Sequence, residues 1–334
     1  MSIQPSQSGS DIAVVVPFFQ RAPGILSRTV RSALNQTGIR DFRIVVVDDA
    51  SPVRARDELK DVISEVGDRI IVVEQSNTGA AGARNKALDS LPKETKFVAF
   101  LDSDDEWSAN HLKNAHFALR QGFDFYFADF YQLGQSVTAF ERTNRINVAE
   151  HPLVPGSSDV HEYKSDMVNQ IITGNILGTS VTAYAYHKMP HLRFRLGFRH
   201  TGEEYLFWLD IASRSRRIAF GGQPECRYGS GVNIYSESAW GQEKFLTVIS
   251  DDIKYRRRIL EEYSISVAQR KFLKTRIREL RRGFTSGLLH HVRSHRQLPS
   301  PKVLRDYLAV DPYYPIAIWP SALKILAKRN WVQG

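Results

Sequence analysis

Residues 43–52 read RIVVVDDASP. Four β-branched residues in succession, Ile44 to Val47, suit a short strand buried on both faces, and the acidic, small and proline residues behind them suit a turn. The segment that follows, residues 55–66, carries Leu59, Val62, Ile63 and Val66 at helical spacing. Working outward, the same unit recurs. Residues 12–16 (IAVVV) precede a helical pattern over 24–35, residues 70–74 (IIVVE) precede one over 82–91, and residues 96–101 (KFVAFL) precede one over 109–120. Residues 123–128 (FDFYFA) open the next unit. Strand and helix alternating four times predict an α/β fold: a doubly wound, mostly parallel sheet flanked by helices.

Beyond residue 130 the pattern thins. Residues 132–158 read as an excursion or a short antiparallel piece, 180–186 (SVTAYAY) as a strand, 203–213 (EEYLFWLDIAS) as a helix and 218–220 as a last short strand. From Gly241 the texture is helical and basic. Phe245, Val248, Ile249 and Ile253 mark one helix, and Leu273, Ile277, Leu280, Phe284 and Leu288 mark one face of another. The expected organisation is a flexible N-terminus (1–10), one domain (11–240) and a basic helical C-terminal region (241–334).

Composition narrows the class. The chain has 334 residues and one cysteine, Cys226, which excludes an intrachain disulfide and a CxxC site and points to a reducing, cytoplasmic setting. The opening MSIQPSQSGSD lacks the features of a signal peptide, and no run approaches the roughly 18 to 20 apolar residues of a spanning helix. A soluble protein, or one attached peripherally to the inner face of the cell membrane, is expected. Lys plus Arg number 45 against 36 Asp plus Glu, a net charge of +9. The surplus is local: residues 241–334 hold 19 basic and 8 acidic residues, whereas 1–240 hold 26 and 28. Residues 313–331 (YYPIAIWPSALKILAKRNW) mix aromatic, aliphatic and basic residues as interfacial segments do, so an anionic membrane surface is the expected partner of 241–334, with a solvated helical cap as the alternative. No nucleic-acid recognition motif is present, and nucleic acid is not an expected partner.

Doubly wound sheets bind ligands outside the carboxyl ends of their strands. The residues there are Pro17-Phe18-Phe19-Gln20, Asp48-Asp49-Ala50-Ser51, Gln75 to Gly79, and Asp102-Ser103-Asp104-Asp105. Carboxylates gathered on one edge call for a counterion, and oxygen ligands suit Mg²⁺ or Mn²⁺. In an extended segment Asp102 and Asp104 would point the same way. So few protein ligands imply that a phosphorylated substrate completes the site. The plainer alternative is that Asp102 caps the next helix and its neighbours are solvated.

In order and spacing, DIAVVVPFFQRAPGILSRTVRSALNQT, FRIVVVDDASP, NTGAAGARNKAL and FVAFLDSDDEW resemble the N-terminal half of the family 2 glycosyltransferases with the GT-A fold. PFFQ, PGIL and the later GVNIYSES are most similar to glucosyltransferases of succinoglycan-type exopolysaccharide assembly. The resemblance implies a nucleotide-binding half over 11–130 and an acceptor half over 131–240. It implies that Phe19 stacks on uracil beside the Pro17 backbone, that Asp49 rather than Asp48 reads the uracil ring, and that Asn77, Gly79, Arg84, Asp102 and Ser103 lie around the nucleotide. Asp102 and Asp104 match the metal motif, with Asp104 the direct ligand. TGEEYLFWLDIA resembles the family's G-E-D-x-x-x-W-x-x-x-A, which makes Glu203, or failing that Glu204, the catalytic base; Glu204 stands where Asp is usual. Without that resemblance the two glutamates would read as ordinary residues of a helix N-terminus.

The implied activity is inverting transfer of a hexose, glucose in the first instance, from a UDP-sugar to a saccharide acceptor carried on a lipid. The alternative is a non-catalytic protein that keeps the fold and binds sugar nucleotides. No Q-x-x-R-W motif of the processive synthases is present, so one sugar per encounter is expected. Arg227, Asn233 and Ser236 would form a lid or an ordinary connector. Arg256 to Arg258, Arg281 and Arg282 read as solvated helix faces, and His290 and His291 make a poor metal pair because neighbours on a helix diverge.

Overall fold

The computed structural model describes residues 11–231, 240 and 242–315. In chain order the elements are β1 (Ile12–Phe18), α1 (Ile25–Leu34), β2 (Arg43–Asp49), α2 (Ala55–Glu58), α3 (Lys60–Val66), β3 (Ile70–Gln75), α4 (Gly79–Asp89), β4 (Phe97–Phe100) and β5 (Glu106–Trp107). They continue with α5 (His111–Arg120), β6 (Phe125–Tyr131), α6 (Ala139–Thr143), β7 (Val160–Tyr163), α7 (Met167–Gly174), β8 (Thr182–Tyr184), α8 (Glu203–Arg214) and β9 (Ile218–Arg227). The last three are α9 (Glu243–Glu262), α10 (Val267–His295) and α11 (Pro301–Val310).

The chain divides into two compact units, Met1–Phe194 with Phe207–Val232, and Arg195–Leu206 with Asn233–Gly334. The short segment 195–206, placed in the acceptor half by the family resemblance, groups instead with the C-terminal helices.

The first unit holds one mixed sheet in the order β3-β2-β1-β4-β8-β6-β9-β5, with β7 also on β9. β1 pairs in parallel with β2 and β4, and β2 with β3, as the repeats predict. β6 does not join β4 directly, because β8 lies between them and runs antiparallel to both. The parallel register resumes between β6 and β9, interrupted by bulges near Asp129. β3 is an edge strand, and its middle residues are only partly buried, in contrast to the doubly buried strand expected. The last strand is ten residues long and extends to Arg227, so Arg227 belongs to the sheet rather than to a loop behind it. The helix over 55–66 breaks at Leu59, and α4 starts three residues earlier than its apolar pattern suggests.

The apolar runs of the strands form the core, with Leu26, Val30 and Ala33 of α1 and Leu112, Ala115 and Ala118 of α5 against them. A second aromatic layer gathers Trp208 with Phe100, Phe125 and Phe194 at ring separations of 5.5 to 6.0 Å. Where chain turns bring polar groups inside, they are paired. Asp124 accepts from Lys188 Nζ at 2.5 Å and from the backbone of Arg216 and Arg217 at 2.7 and 3.1 Å, which fixes the chain entering β9 beside β6.

The second unit is helical. Leu246, Ile249 and Ile253 of α9 pack with Ile277, Leu280 and Phe284 of α10 and with Val303 and Tyr307 of α11. The buried Asp311 receives Arg281 at 2.5 and 2.6 Å and Arg257 at 3.2 Å. Those two arginines are half-buried structural partners, not the solvated face that their clustering suggests. Among the described residues no helix is long and apolar enough to cross a membrane. Residues 1–10, Asn233, Ser236 and Trp331, and most of the interfacial-looking segment, lie outside the described residues.

Candidate active site

Four loops leave the carboxyl ends of β1 to β4, and hydrogen bonds tie each to another. The Gln20 N–H donates to Ser51 Oγ at 2.9 Å while Ser51 Oγ donates back to the Gln20 carbonyl at 3.0 Å, joining the first loop to the second. Gln20 Nε2 donates to Ser103 Oγ at 3.2 Å, joining the first to the fourth. Asp49 accepts from the N–H groups of Thr78 and Gly79, both at 2.8 Å, and from Gln75 Nε2 at 2.7 Å, joining the second to the third. Arg84 Nη2 donates to Asp102 Oδ1 at 2.6 Å, joining the helix behind the third loop to the fourth. Pro17, Phe19, Asp48, Asp49, Asn77, Gly79, Arg84, Asp102, Ser103 and Asp104 all belong to this one rim.

Their individual settings differ. Phe19 and Pro17 are partly exposed beside the strand end. Asp48 is buried and accepts from the N–H groups of Ser51 and Ala55 at 2.8 Å each, which shapes the turn in which Ala50 takes a φ of 55°. Asp49 is 2% exposed, and both carboxyl oxygens already accept hydrogen bonds. To touch a base directly it must release one of them; as it stands it fixes the loop that presents Asn77 and Gly79. Asn77 in turn donates to the Asp49 carbonyl at 2.9 Å.

Asp102 to Asp105 form a turn, with the Asp105 N–H donating to the Asp102 carbonyl at 3.1 Å, rather than the extended segment expected. The turn leads into β5 and not into a helix, so Asp102 is no helix cap. Ser180 holds it from below: its Oγ accepts from the Asp102 N–H at 2.9 Å and donates to Asp105 Oδ2 at 2.5 Å. Burial, reinforced by the Asp102 charge, lifts Asp104 to a pKa of about 6, and burial pushes the Asp105 carboxyl well above the usual carboxylate range.

That repulsion bears on a metal. Asp102 and Asp104 supply two carboxylates on one turn, and among the described residues no group of three or more His, Cys, Asp or Glu is placed to hold an ion. Two oxygen donors that destabilise one another suit a hard divalent cation that keeps waters or takes phosphate oxygens as its other ligands. The residues fit Mg²⁺ or Mn²⁺ on that condition.

Several contributors took no role from the sequence pattern. Asn85, next to Arg84, clamps the backbone of Phe194 through both ends of its amide at 2.7 and 2.8 Å, and Phe194 lies 5.3 Å beneath the Arg84 guanidinium. The Gly229-Ser230-Gly231 segment lies directly on the acidic turn. Gly231 N–H donates to Asp104 Oδ2 at 2.8 Å and Gly229 N–H to Asp105 Oδ1 at 2.9 Å. A Cβ on Gly229 would stand 1.7 Å from the Asp104 carbonyl oxygen, and one on Gly231 2.5 Å from Asp104 Oδ2. Gly229→Ala is therefore expected to displace the turn, lowering turnover at least tenfold with a reduced melting temperature; unchanged values of both would show that the segment yields freely.

Glu203 and Glu204 occupy the first turn of α8, Glu203 buried and Glu204 half-buried. They belong to the segment grouped with the C-terminal helices, whose neighbours Arg199 and His200 are fixed by backbone hydrogen bonds to Asp251 at 2.9 and 2.8 Å.

A family model described as Glycosyl transferase family 2 matches residues 13–190. The succinoglycan biosynthesis protein ExoW of Rhizobium meliloti is 34% identical over 233 residues, covering 67% of this chain and 70% of that protein. The UDP-Glc:alpha-D-GlcNAc-diphosphoundecaprenol beta-1,3-glucosyltransferase WfaP of Escherichia coli is 37% identical over 106 residues, 31% of this chain and 39% of that one. Among solved structures, TarS of S. aureus covers 92% of this chain and 83% of its own with a TM-score of 0.54 at 18% identity. The mannosyltransferase PcManGT of Pyrobaculum calidifontis, in complex with GDP-Man and Mn²⁺, covers 98% and 89% with a TM-score of 0.57 at 16% identity. Those last two likenesses establish the fold as GT-A. With a family match over more than half its length and a relative at 34% identity, the chain belongs to the family 2 glycosyltransferases.

Proposed function

We propose that the protein transfers a hexose, glucose in the first instance, from a UDP-sugar to a hydroxyl of a growing lipid-linked oligosaccharide in exopolysaccharide assembly, with inversion at the anomeric carbon. The observation that carries this reading is the rim itself: four strand-end loops tied together, presenting a ring face at Phe19, small residues at Gly79 and a pair of carboxylates at Asp102 and Asp104. The relatives point the same way, one named for succinoglycan biosynthesis and another for glucosyl transfer from UDP-Glc to a diphosphoundecaprenol-linked sugar.

In this reading Phe19 stacks on the uracil and the Pro17 backbone borders it. Asp49 keeps the Asn77–Gly79 loop in place against the nucleoside. Ser103 lines the floor, held by Gln20. Asp102 and Asp104 would hold Mg²⁺ or Mn²⁺, which when bound supplies charge neutralisation for the departing diphosphate. Arg84, 2% exposed, holds Asp102 in orientation through their ion pair. Glu203 takes the proton of the acceptor hydroxyl as it attacks, with Glu204 next to it on the helix; such a base contributes about 10² to 10⁴ in rate. One base and no enzyme nucleophile give a single displacement and a β-linkage from an α-linked donor. NMR of the product tests this: a β anomeric signal is expected, and an α-linked product would overturn the inverting mechanism. The basic 241–334 region, in the same reading, keeps the protein at an anionic membrane surface on the cytoplasmic side, near its acceptor.

A further inference from the structure

The C-terminal unit carries a cavity that the sugar-transfer chemistry does not use. Helix α9 turns its apolar stripe, Leu246, Ile249 and Ile253, to the core. A second stripe, Thr247, Asp251, Lys254 and Arg258, repeats every three or four residues and lines a hollow of about 550 Å³. Arg199 and Arg257 add to its charged wall, and Val303, Ala309 and Val310 make an apolar wall along α11. The size falls within the roughly 300 to 1,000 Å³ of small-ligand sites.

The cations are unequally matched. Arg199 pairs with Asp306, Arg257 with Asp311 at 3.2 Å and Arg258 with Glu262 at 3.1 Å. Asp251 is occupied by the backbone N–H groups of Arg199 and His200. Lys254 has no carboxylate at ion-pair distance among the described residues; its Nζ donates to the Gly197 carbonyl at 2.6 Å and lies 4.6 Å from the Phe198 ring. An ammonium has three protons to donate. Burial holds Lys254 below its ordinary pKa, opposed by Asp251 and reinforced by Arg258 and Arg199. An adjoining hollow of about 290 Å³ shares Arg257 and Glu261 with the first and adds Lys274 and Arg278, which also lack an ion pair among the described residues. Across both hollows seven basic residues face three acidic ones.

We propose that this cavity binds a lipid-borne phosphate, with the phosphate oxygens on Lys254, Arg257, Arg258 and Arg199 and the first carbons of the chain along Val303, Ala309 and Val310. Charge-assisted hydrogen bonds from ammonium and guanidinium groups suit phosphate oxygens, and the apolar wall separates a lipid phosphate from a free anion. Two sources share this chemistry: the diphosphate of a lipid-linked acceptor, which rests on the reading above, and an anionic phospholipid headgroup, which does not.

Calorimetric titration of the full-length protein with farnesyl diphosphate, inorganic pyrophosphate and farnesol, together with co-sedimentation with phosphatidylcholine vesicles with and without phosphatidylglycerol, separates them. Farnesyl diphosphate is expected to bind at least tenfold more tightly than farnesol or pyrophosphate. Combined Lys254→Gln and Arg258→Gln should weaken it at least tenfold, and Lys254→Arg alone should leave it intact. That outcome identifies a prenyl diphosphate as the ligand. Vesicle capture that requires phosphatidylglycerol and is lost in the double variant, without farnesyl diphosphate binding, identifies a headgroup. The proposal is overturned if neither probe binds, if the double variant at an unchanged melting temperature binds both as wild type does, or if pyrophosphate binds as tightly as farnesyl diphosphate. Asp104→Asn should leave all of these titrations unchanged, so loss of donor binding and failure of this site are read separately.

Discussion

Asp104→Asn should abolish divalent-cation-dependent binding of the sugar nucleotide and lower turnover by about 10² to 10⁴, on the basis that a bound ion contributes several kcal/mol and each 1.36 kcal/mol is tenfold in rate. The fold should survive. The amide oxygen of Asn can still accept the Gly231 N–H that Asp104 Oδ2 now accepts at 2.8 Å, and the side chain lies on a turn held independently by Ser180. Replacing the carboxylate also removes its repulsion with Asp102, so the melting temperature should hold or rise. Equilibrium titration of UDP-sugar with and without Mn²⁺ is the direct check. Cation-dependent binding equal to that of the wild type would remove Asp104 from the metal site.

The second large effect belongs to the base. Glu203→Gln should leave UDP-sugar binding within about twofold of wild type and reduce turnover by about 10² to 10⁴. The substitution keeps the size of the side chain and removes its capacity to accept a proton. Glu203 is buried at the first turn of α8, where a carboxylate is favoured by the helix dipole whatever else it does. Stability alone therefore does not report on catalysis, and the informative readout is the separation of kcat from donor affinity. Normal turnover in Glu203→Gln with loss in Glu204→Gln would move the base by one residue. Normal turnover in both would leave neither as the base, whereas no turnover in the wild type itself would favour a protein that binds sugar nucleotides without transferring the sugar.

Much of the first half was legible because its strands are consecutive β-branched runs and the candidate site residues follow them directly. IAVVV, RIVVV and KFVAFL could be little else than buried strands, and DDAS and DSDD fall at their carboxyl ends. The second half was less legible for physical reasons. β8 has only three residues and inserts between β4 and β6, a non-local pairing that periodicity does not encode. β9 runs through Gly221, Gly222 and Pro224, residues that weaken a strand pattern, yet it stays in the sheet by means of bulges.

The site shows the same division. Residue types announced the acidic turn, but not its shape, since the extended spacing of Asp102 and Asp104 and a tight turn share one sequence. Asp49 illustrates a further limit: a carboxylate at a strand end is equally suited to reading a ligand or to holding a loop, and here it holds Thr78 and Gly79. Gly229 and Gly231 were visible as glycines. Only the fold shows that they lie on the Asp104 backbone and carboxylate.

In the proposed function the tied loops at the strand ends bind a sugar nucleotide and the protein turns it over. Release of nucleoside diphosphate from a panel of UDP-, GDP- and dTDP-sugars, with Mg²⁺ or Mn²⁺ and a lipid-linked acceptor present, measures this most directly. Release is expected to be greatest with UDP-glucose, to be abolished by EDTA and to be restored by adding back the cation. No release above background from any sugar nucleotide, or release indifferent to EDTA, would contradict the proposed function.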